Sequence, residues 1–548
     1  RFKHRLAICK KTCRGAVEFD LASDKTMWRW FAIFYSVQAK ELGQISVDPD
    51  SGHFVDSYGR VRIFHGVNAV LKESPWLPQS DQFTGDDSLD SKTLDFLQEW
   101  GFNVVRLGVM WPGVEPTPGQ VDESYVKRVG QLSADLAQRG IYTIADLHQD
   151  LGSRRFCGEG FPEGYVEELL QDPASQMSKA PKFPHPFPDL PRNASGFPEL
   201  GRCLDRQFSE YYSTYQVGAL FSELYRAGSK LQEGFLRFWS AVSAEFKDAP
   251  HLLAYELLNE PSGTCLKAHD AFGCRLSGQA MPLRFDNRVE AYYLTPLYQA
   301  AARVIRSNNA KQVIFYEGTV WPKIGVDVFP EPALGADRQQ ALAYHIYCAP
   351  GDGDNWPAGL LCDAAQQIFE RTYYPFLHKH SMPGFMTEFG AVKGNHNEMK
   401  HISNLLHTAD KHFQSWTYWQ LKKFHDFTTA NSAEAIFTSD GKIEVNKLSA
   451  LSRTYAQAIA GKPLRMEYDC SKRTFTLDFV ATVKDAPTEI YLNEELHYPT
   501  GYGFSASPPG CLSVHEKRRN YLHLMLASER CIGAVIEIRI IPSDMNVV

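Results

Sequence analysis

The chain has 548 residues, 44% hydrophobic and 22% charged, with a formal net charge of −7. That length holds one large domain and a smaller one, and the composition is that of an ordinary globular chain. No block of like charge could track a phosphate backbone, which argues against nucleic-acid partners. No apolar run reaches the roughly 18 to 20 residues of a membrane span.

The first apolar run, "WFAIFYSV" at residues 30 to 37, follows Met27-Trp28-Arg29 and leads into a small-residue "VQA". A short apolar stretch of this kind reads as a secretory signal from Met27 to about Ala39. Residues 1–44 are expected to be a leader outside the fold, and the protein to be secreted or lysosomal.

From residue 61 short β-rich runs alternate with helical patterns. "VRIFHGV" (61–67) precedes a helix through Leu89, Leu94 and Leu97 that stops at Gly101. "FNVVRLGV" (102–109), a helix over 122–139 and "IYTIADLH" (141–148) follow. A long insertion at about 152–230, Pro- and Phe-rich in the middle, is expected to wall a cleft. A helix near 231–247 then leads to "LLAYELL" (252–258). "QVIFYEG" (312–318), "ALAYHIY" (341–347), "PGFMTEFG" (383–390) and "QSWTYWQ" (414–420) complete eight strands. Residues 320–340 read as loop where a fifth helix would stand.

Eight strands alternating with helices predict a closed (β/α)8 TIM barrel over 45–460. Residues 447–463 read as its last helix. Beyond 461 alternating runs separated by turns predict an antiparallel β-sandwich over 461–548.

The eleven cysteines fit export, with Cys265/Cys274 and Cys348/Cys362 as close pairs and Cys157/Cys203 bracketing the long insertion. None has paired CxxC or HExxH spacing, so no structural metal is expected. Asn193-Ala194-Ser195 is an acceptor sequence for a glycan.

The active site of such a barrel lies at the C-terminal ends of its strands. Those ends carry Asn68 and Lys72, Arg106, His148-Gln149-Asp150, Asn259-Glu260, His345 with Tyr347, Glu388 and Trp419. Glu260 and Glu388 end the fourth and seventh strands, which face each other across an eightfold ring. Two carboxyls across a sugar-sized cleft suit glycoside hydrolysis: one donates a proton, the other attacks the anomeric carbon. Asn259 offers an amide to a sugar 2-hydroxyl. Arg106 and Tyr347 are placed to hold Glu388 as its anion.

Asn259-Glu260-Pro261, "HIY" at 345–347 and "TEFG" at 387–390 resemble glycoside hydrolase family five. "GVNAVLKESPWLP" (66–78), "DLHQDLGSRRFCGEG" (146–160), "SWTYWQLKKFHD" (415–426) and "TEIYLNEELHYPTGYGFSAS" in the tail are similar to its endoglycoceramidase subgroup. The resemblance implies a retaining double displacement, with Glu260 as acid/base and Glu388 as nucleophile. Lys72, His148, Asp150, Asn259, His345, Tyr347 and Trp419 match positions that line sugar subsites or support the glutamates. It also implies a glycosphingolipid substrate cut between glycan and ceramide, with transient contact with a membrane or micelle. No cofactor, no metal and no obligate protein partner is expected.

Two other readings stay open at this level. One is a β-glucosidase of the same subgroup acting on glucosylceramide or a steryl glucoside. The other is a catalytically inactive glycolipid-binding protein. For the lipid, Phe183, Phe187 and Phe197 of the insertion and "VWP" at 320–322 are the expected channel wall.

Overall fold

The computed structural model describes residues 42–263, 287–320, 326–347, 356–429 and 434–545, without the side chains of 356–365. The expected signal segment, the Cys265/Cys274 pair and Cys348 lie outside the described residues, and the Cys362 side chain is among those not described.

Eight strands form the barrel: β1 His65–Ala69, β2 Val104–Gly108, β3 Tyr142–Asp146, β4 Leu252–Glu256, β5 Val313–Glu317, β6 Gln340–Ile346, β7 Gly384–Phe389 and β8 Ser415–Tyr418. All pair in parallel in chain order, and β8 closes on β1. Every residue in them is buried. That is why they read as continuous apolar runs, with helices outside and packed side chains inside.

Local sequence sets the connections. Asp90 accepts hydrogen bonds from the backbone of Lys92 and Thr93, which starts the helix Ser91–Glu99. The chain leaves that helix through Gly101 at φ 78°, where a Cβ would sit 2.4 Å from the Tyr491 ring of the second domain. Asp122 caps the helix Glu123–Ala137 in the same way as Asp90. Between β5 and β6 no helix occurs among the described residues. In the insertion, helices Glu163–Gln171 and Tyr215–Tyr225 flank an irregular Pro-rich stretch. A disulfide between Cys157 and Cys203 ties its ends together.

The C-terminal strands are β9 Tyr455–Ile459, β10 Gly461–Asp469, β11 Thr474–Ala481, β12 Thr488–Tyr491, β13 Tyr502–Ser507, β14 Leu512–Arg518, β15 Tyr521–Leu526 and β16 Val535–Pro542. They make two antiparallel sheets, one ordered β10-β11-β16-β13. In the other, β9-β12-β15-β14 is extended by three short strands, Ser46–Val47, Phe54–Val55 and Val61–Arg62. Tyr455, Ile490 and Leu524 of one sheet meet Leu477, Phe479 and Ile538 of the other in one apolar cluster. A second disulfide, Cys511–Cys531, was not expected from spacing.

Two sequence expectations need correction. "VRIFHGV" is two strands: Val61 pairs with Ile459 of β9, and the barrel strand starts only at His65. Val61 and Ile63 face the sandwich core while Phe64 turns into the barrel floor, so no single strand can serve both. Residues 447–463 are not one helix. The helix is Val445–Leu451, and Tyr455–Ile459 is strand β9. Its alanines suit a helix, but Tyr455 and Ile459 are drawn into the sandwich core.

The floor of the barrel is closed by Phe54, whose ring lies 5.9 Å from both Phe64 and Phe315. The two domains are pinned by His65, stacked between Trp416 at 4.2 Å and Tyr455 at 3.6 Å.

Candidate active site

Arg106, in β2 and fully buried, is the hub at the open end of the barrel. Its Nε donates to Glu256 Oε2 at 2.6 Å, and its Nη1 to Asn68 Oδ1 at 3.0 Å and Glu388 Oε1 at 2.6 Å. Its Nη2 donates to Asn259 Oδ1 at 2.8 Å and stands 3.1 Å from Asp146 Oδ1. A planar guanidinium with five N–H groups serves these directions at once; an ammonium does not.

Glu388, near the end of β7, is held as an anion. Tyr347 donates to its Oε2 at 2.7 Å, opposite the Arg106 contact. Burial alone would raise its pKa, but the charges of His345 and Arg106 and the Tyr347 hydrogen bond bring it down to about 2.

Glu260 follows β4 with a left-handed backbone, φ 39°. Its Oε1 lies 2.8 Å from His345 Nδ1, and its N–H donates to Glu317 Oε2 at 2.8 Å. His345 Nδ1 is also 3.4 Å from Glu388 Oε2 and 3.5 Å from Glu317 Oε1. Burial works against a charged imidazole, yet Glu317, Glu388 and Glu260 together raise the His345 pKa. One oxygen of Glu260, one of Glu388 and His345 Nδ1 all lie within 4.8 Å of one another. Carboxyls separated by about 5 Å suit direct attack, whereas a wider gap leaves room for a water between them. The Asn259 amide is fixed on both sides: Arg106 on its oxygen, and Gln149 O accepting from its nitrogen at 3.0 Å. One of its two N–H groups is therefore already committed.

Beside this pair lies an aromatic shelf. Trp419 is anchored by its Nε1 to Glu434 Oε2 at 2.9 Å, and the His148 ring stacks on it at 5.3 Å and 13°. His148 is kept neutral, its pKa lowered to about 3 by burial and by the Lys72 charge. Lys72 Nζ lies 4.8 Å above the Trp419 ring. It is ion-paired to Asp150, 3.2 Å from Asp426, and donates to Thr428 Oγ1 at 3.0 Å. A flat apolar face edged by charged hydrogen-bonding groups matches a pyranose, which shows C–H on its faces and hydroxyls on its rim.

Each residue expected to bind or react thus sits in one connected cluster. Sequence reasoning passed over Asp146, Glu256 and Glu317, carboxylates at the C-terminal ends of β3, β4 and β5. A charged residue closing an apolar strand run was the available signal. Among the described residues, imidazole nitrogens and carboxylate oxygens come close enough to share a cation in three places, two of them built on His345. The third, His148 with Asp150 and Glu159, already receives the Lys72 ammonium.

The expected channel wall differs from its reading. Phe183 is only 1% exposed, packed between Phe156 at 5.5 Å and Tyr211 at 5.3 Å, so it belongs to the core of the insertion. Phe187 and Phe197 are partly buried under Arg206 and Arg155. Trp321 and Pro322 lie outside the described residues.

The sequence profile described as cellulase, glycosyl hydrolase family 5, matches residues 67–425, and that of the family's C-terminal domain matches 453–540. An endoglycoceramidase of Cyanea nozakii is 31% identical over 85% of this chain and 87% of its own length. One of Hydra vulgaris is 31% identical over 86% and 85% of the two chains. The solved structure of endo-glycoceramidase II from Rhodococcus sp. in complex with ganglioside GM3 shares the fold. Its TM-score is 0.66 at 21% identity, over 90% of this chain and 99% of that one. With both domains matched in order and relatives aligned along most of their length, the chain belongs to glycoside hydrolase family 5.

Proposed function

We propose that the protein is a retaining endo-glycosidase that hydrolyses the β-glycosidic bond between the oligosaccharide and the ceramide of glycosphingolipids. The observation that carries the chemistry is the unequal setting of two close carboxyls. Glu388 is ionised between Arg106 and Tyr347, while Glu260 is hydrogen-bonded to His345. In the first step Glu388 attacks the anomeric carbon and Glu260 gives a proton to the departing ceramide oxygen. In the second, Glu260 takes a proton from water, which attacks the same carbon and frees Glu388. Charge leaving Glu388 on attack weakens its pairing with Arg106, and charge returning in the second step restores it.

The substrate class rests on the endoglycoceramidase relatives, aligned along most of this chain. The Lys72–Asp150–Asp426 group beside Trp419 offers charged hydrogen-bond partners to sugar hydroxyls. A secreted or lysosomal protein with transient membrane or micelle contact is part of the same reading. Among the described residues no helix is long and apolar enough to cross a membrane.

The test is incubation with gangliosides and neutral glycosphingolipids, with both products identified by mass spectrometry. Intact oligosaccharide plus ceramide is expected. Release of glucose only would make the protein a β-glucosidase. No turnover by folded protein would leave a glycolipid-binding role. Glu388→Gln, which cannot attack carbon, is expected to abolish turnover in a protein that circular dichroism shows still folded.

A further inference from the structure

Glu317 ends β5 beside the catalytic pair, with 6% of its surface exposed. Its Oε2 accepts the Glu260 backbone N–H at 2.8 Å, and its Oε1 stands 3.5 Å from His345 Nδ1. We infer that Glu317 is a positioning residue for the acid/base: Oε2 fixes the Glu260 main chain, while Oε1 competes with Glu260 and Glu388 for the His345 Nδ1 proton. The inference rests on the assignment of Glu260 as acid/base made above.

Two physical arguments support it. The first is conformational. Glu260 has φ 39°, a region that residues with a Cβ avoid unless the surroundings hold them there. From that backbone its side chain runs in the direction of His345, whose Nδ1 lies 2.8 Å from Oε1. The Glu317 contact supplies an acceptor for the buried N–H and so fixes the direction.

The second is electrostatic. Glu260, Glu317 and Glu388 converge on one imidazole nitrogen, and of the three Glu388 also has the Arg106 cation, so an ionised Glu317 in this buried site is costly. The groups facing Glu317 are Glu256 in β4, Glu260 beyond it, His345 in β6 with Glu388 behind it, and the outer tyrosines Tyr298 and Tyr373. Burial foremost, with Glu260 and Glu256 adding to it and His345 opposing, pushes the Glu317 pKa up to about 8. At neutral pH it thus holds a proton and leaves the His345 charge to the catalytic pair. When it ionises, its charge adds to those that hold the His345 imidazolium beside the catalytic pair, which extends activity towards alkaline pH.

The test uses soluble aryl β-lactosides, one with a poor and one with an activated leaving group, so that ceramide recognition plays no part. Glu317→Ala is expected to lower kcat on the poor leaving group about a hundredfold, the cost of a misplacement of about 1 Å. KM should stay within about threefold, and the loss on the activated substrate should be about tenfold smaller because it needs little acid assistance. Added to Glu260→Ala, the same change should cost less than about twofold more, since it acts through Glu260. Glu317→Gln retains an acceptor for the Glu260 N–H. It should recover kcat to within about threefold of the parent below pH 7 and shift the alkaline limb to lower pH. Equal loss on both leaving groups, additivity in the double variant, or an alkaline limb in Glu317→Gln that stays put or rises would each overturn the inference. If Glu317→Ala does not fold, the Glu317→Gln profile decides. If Glu260→Ala shows no leaving-group dependence and no rescue by azide, the acid/base assignment of Glu260 fails instead.

Discussion

Arg106 and Glu388 face each other at 2.6 Å with neither side chain more than 6% exposed. A buried pair of this kind is strongly destabilised by removing one partner and only weakly stabilising as a whole. Its worth here is in catalysis: the guanidinium orients Glu388 on Nη1 while Nη2 holds Asn259 and Nε holds Glu256. Arg106→Lys retains the charge and loses the fork. The expected result is a folded enzyme with kcat lowered by about a hundredfold or more, since two positioned groups move at once. Circular dichroism and steady-state kinetics on an aryl lactoside check this. Activity within threefold of the parent would mean that charge alone suffices.

Tyr347 is the second hold on Glu388, donating to Oε2 at 2.7 Å. A carboxylate held down to about 2 stays ionised under all but strongly acidic conditions. The acid limb of kcat/KM is therefore expected below pH 4, with Glu388 as the group that must lose its proton. Removing a hydrogen bond to the anion raises its pKa, so Tyr347→Phe should move that limb to higher pH by about one unit. A limb that stays in place would assign it to another group.

Much of this site was legible because a barrel puts chemistry at predictable places. Apolar runs that end in Asn259-Glu260, in His345 or in Glu388 mark strand ends, and eight such ends define a ring. Glu256 and Glu317 were harder. Each sits inside or at the edge of a run, "LLAYELL" and "QVIFYEG", that local pattern reads as plain core. Their need for Arg106 and the Glu260 N–H comes from strands far away in sequence. The same limit hid the strand Tyr455–Ile459, whose partners are Val61–Arg62 and residues near 490. Alternation shows that a segment is half-buried, but not against what.

Lys72 concentrates opposing charge in the sugar shelf. It is 1% exposed and lies against Asp150, Asp426 and Glu159. Lys72→Met would leave three buried carboxylates facing one another without a cation. A loss of about 3–5 kcal/mol in urea unfolding is expected, together with weaker binding of disaccharide substrates. Adding Asp150→Asn should return part of the stability, because the mutual repulsion falls, while binding stays weak. A variant as stable as the parent would show that the carboxylates take up protons at little cost.

The insertion tests where the lipid meets the protein. Phe183 is wedged between Phe156 and Tyr211, and its N–H donates to Gln216 Oε1 at 2.7 Å. Phe183→Ala removes a buried ring and should cost about 3–5 kcal/mol of stability. Because that loss is structural, activity on micellar glycolipid and on a soluble lactoside should fall in parallel with the folded fraction. Tyr292 is the contrasting case. It is 71% exposed on the turn Glu290–Leu294, where Glu290 accepts hydrogen bonds from Thr319 just beyond β5. An exposed ring gains by entering an apolar phase, at about 25 cal/mol for each Å² of apolar surface removed from water. Tyr292→Ser should raise the apparent KM for micellar glycolipid about threefold to tenfold and leave the lactoside parameters as they are. If instead Phe183→Ala impairs only the micellar substrate and Tyr292→Ser impairs neither, the lipid enters along the insertion, and the buried ring is part of its path.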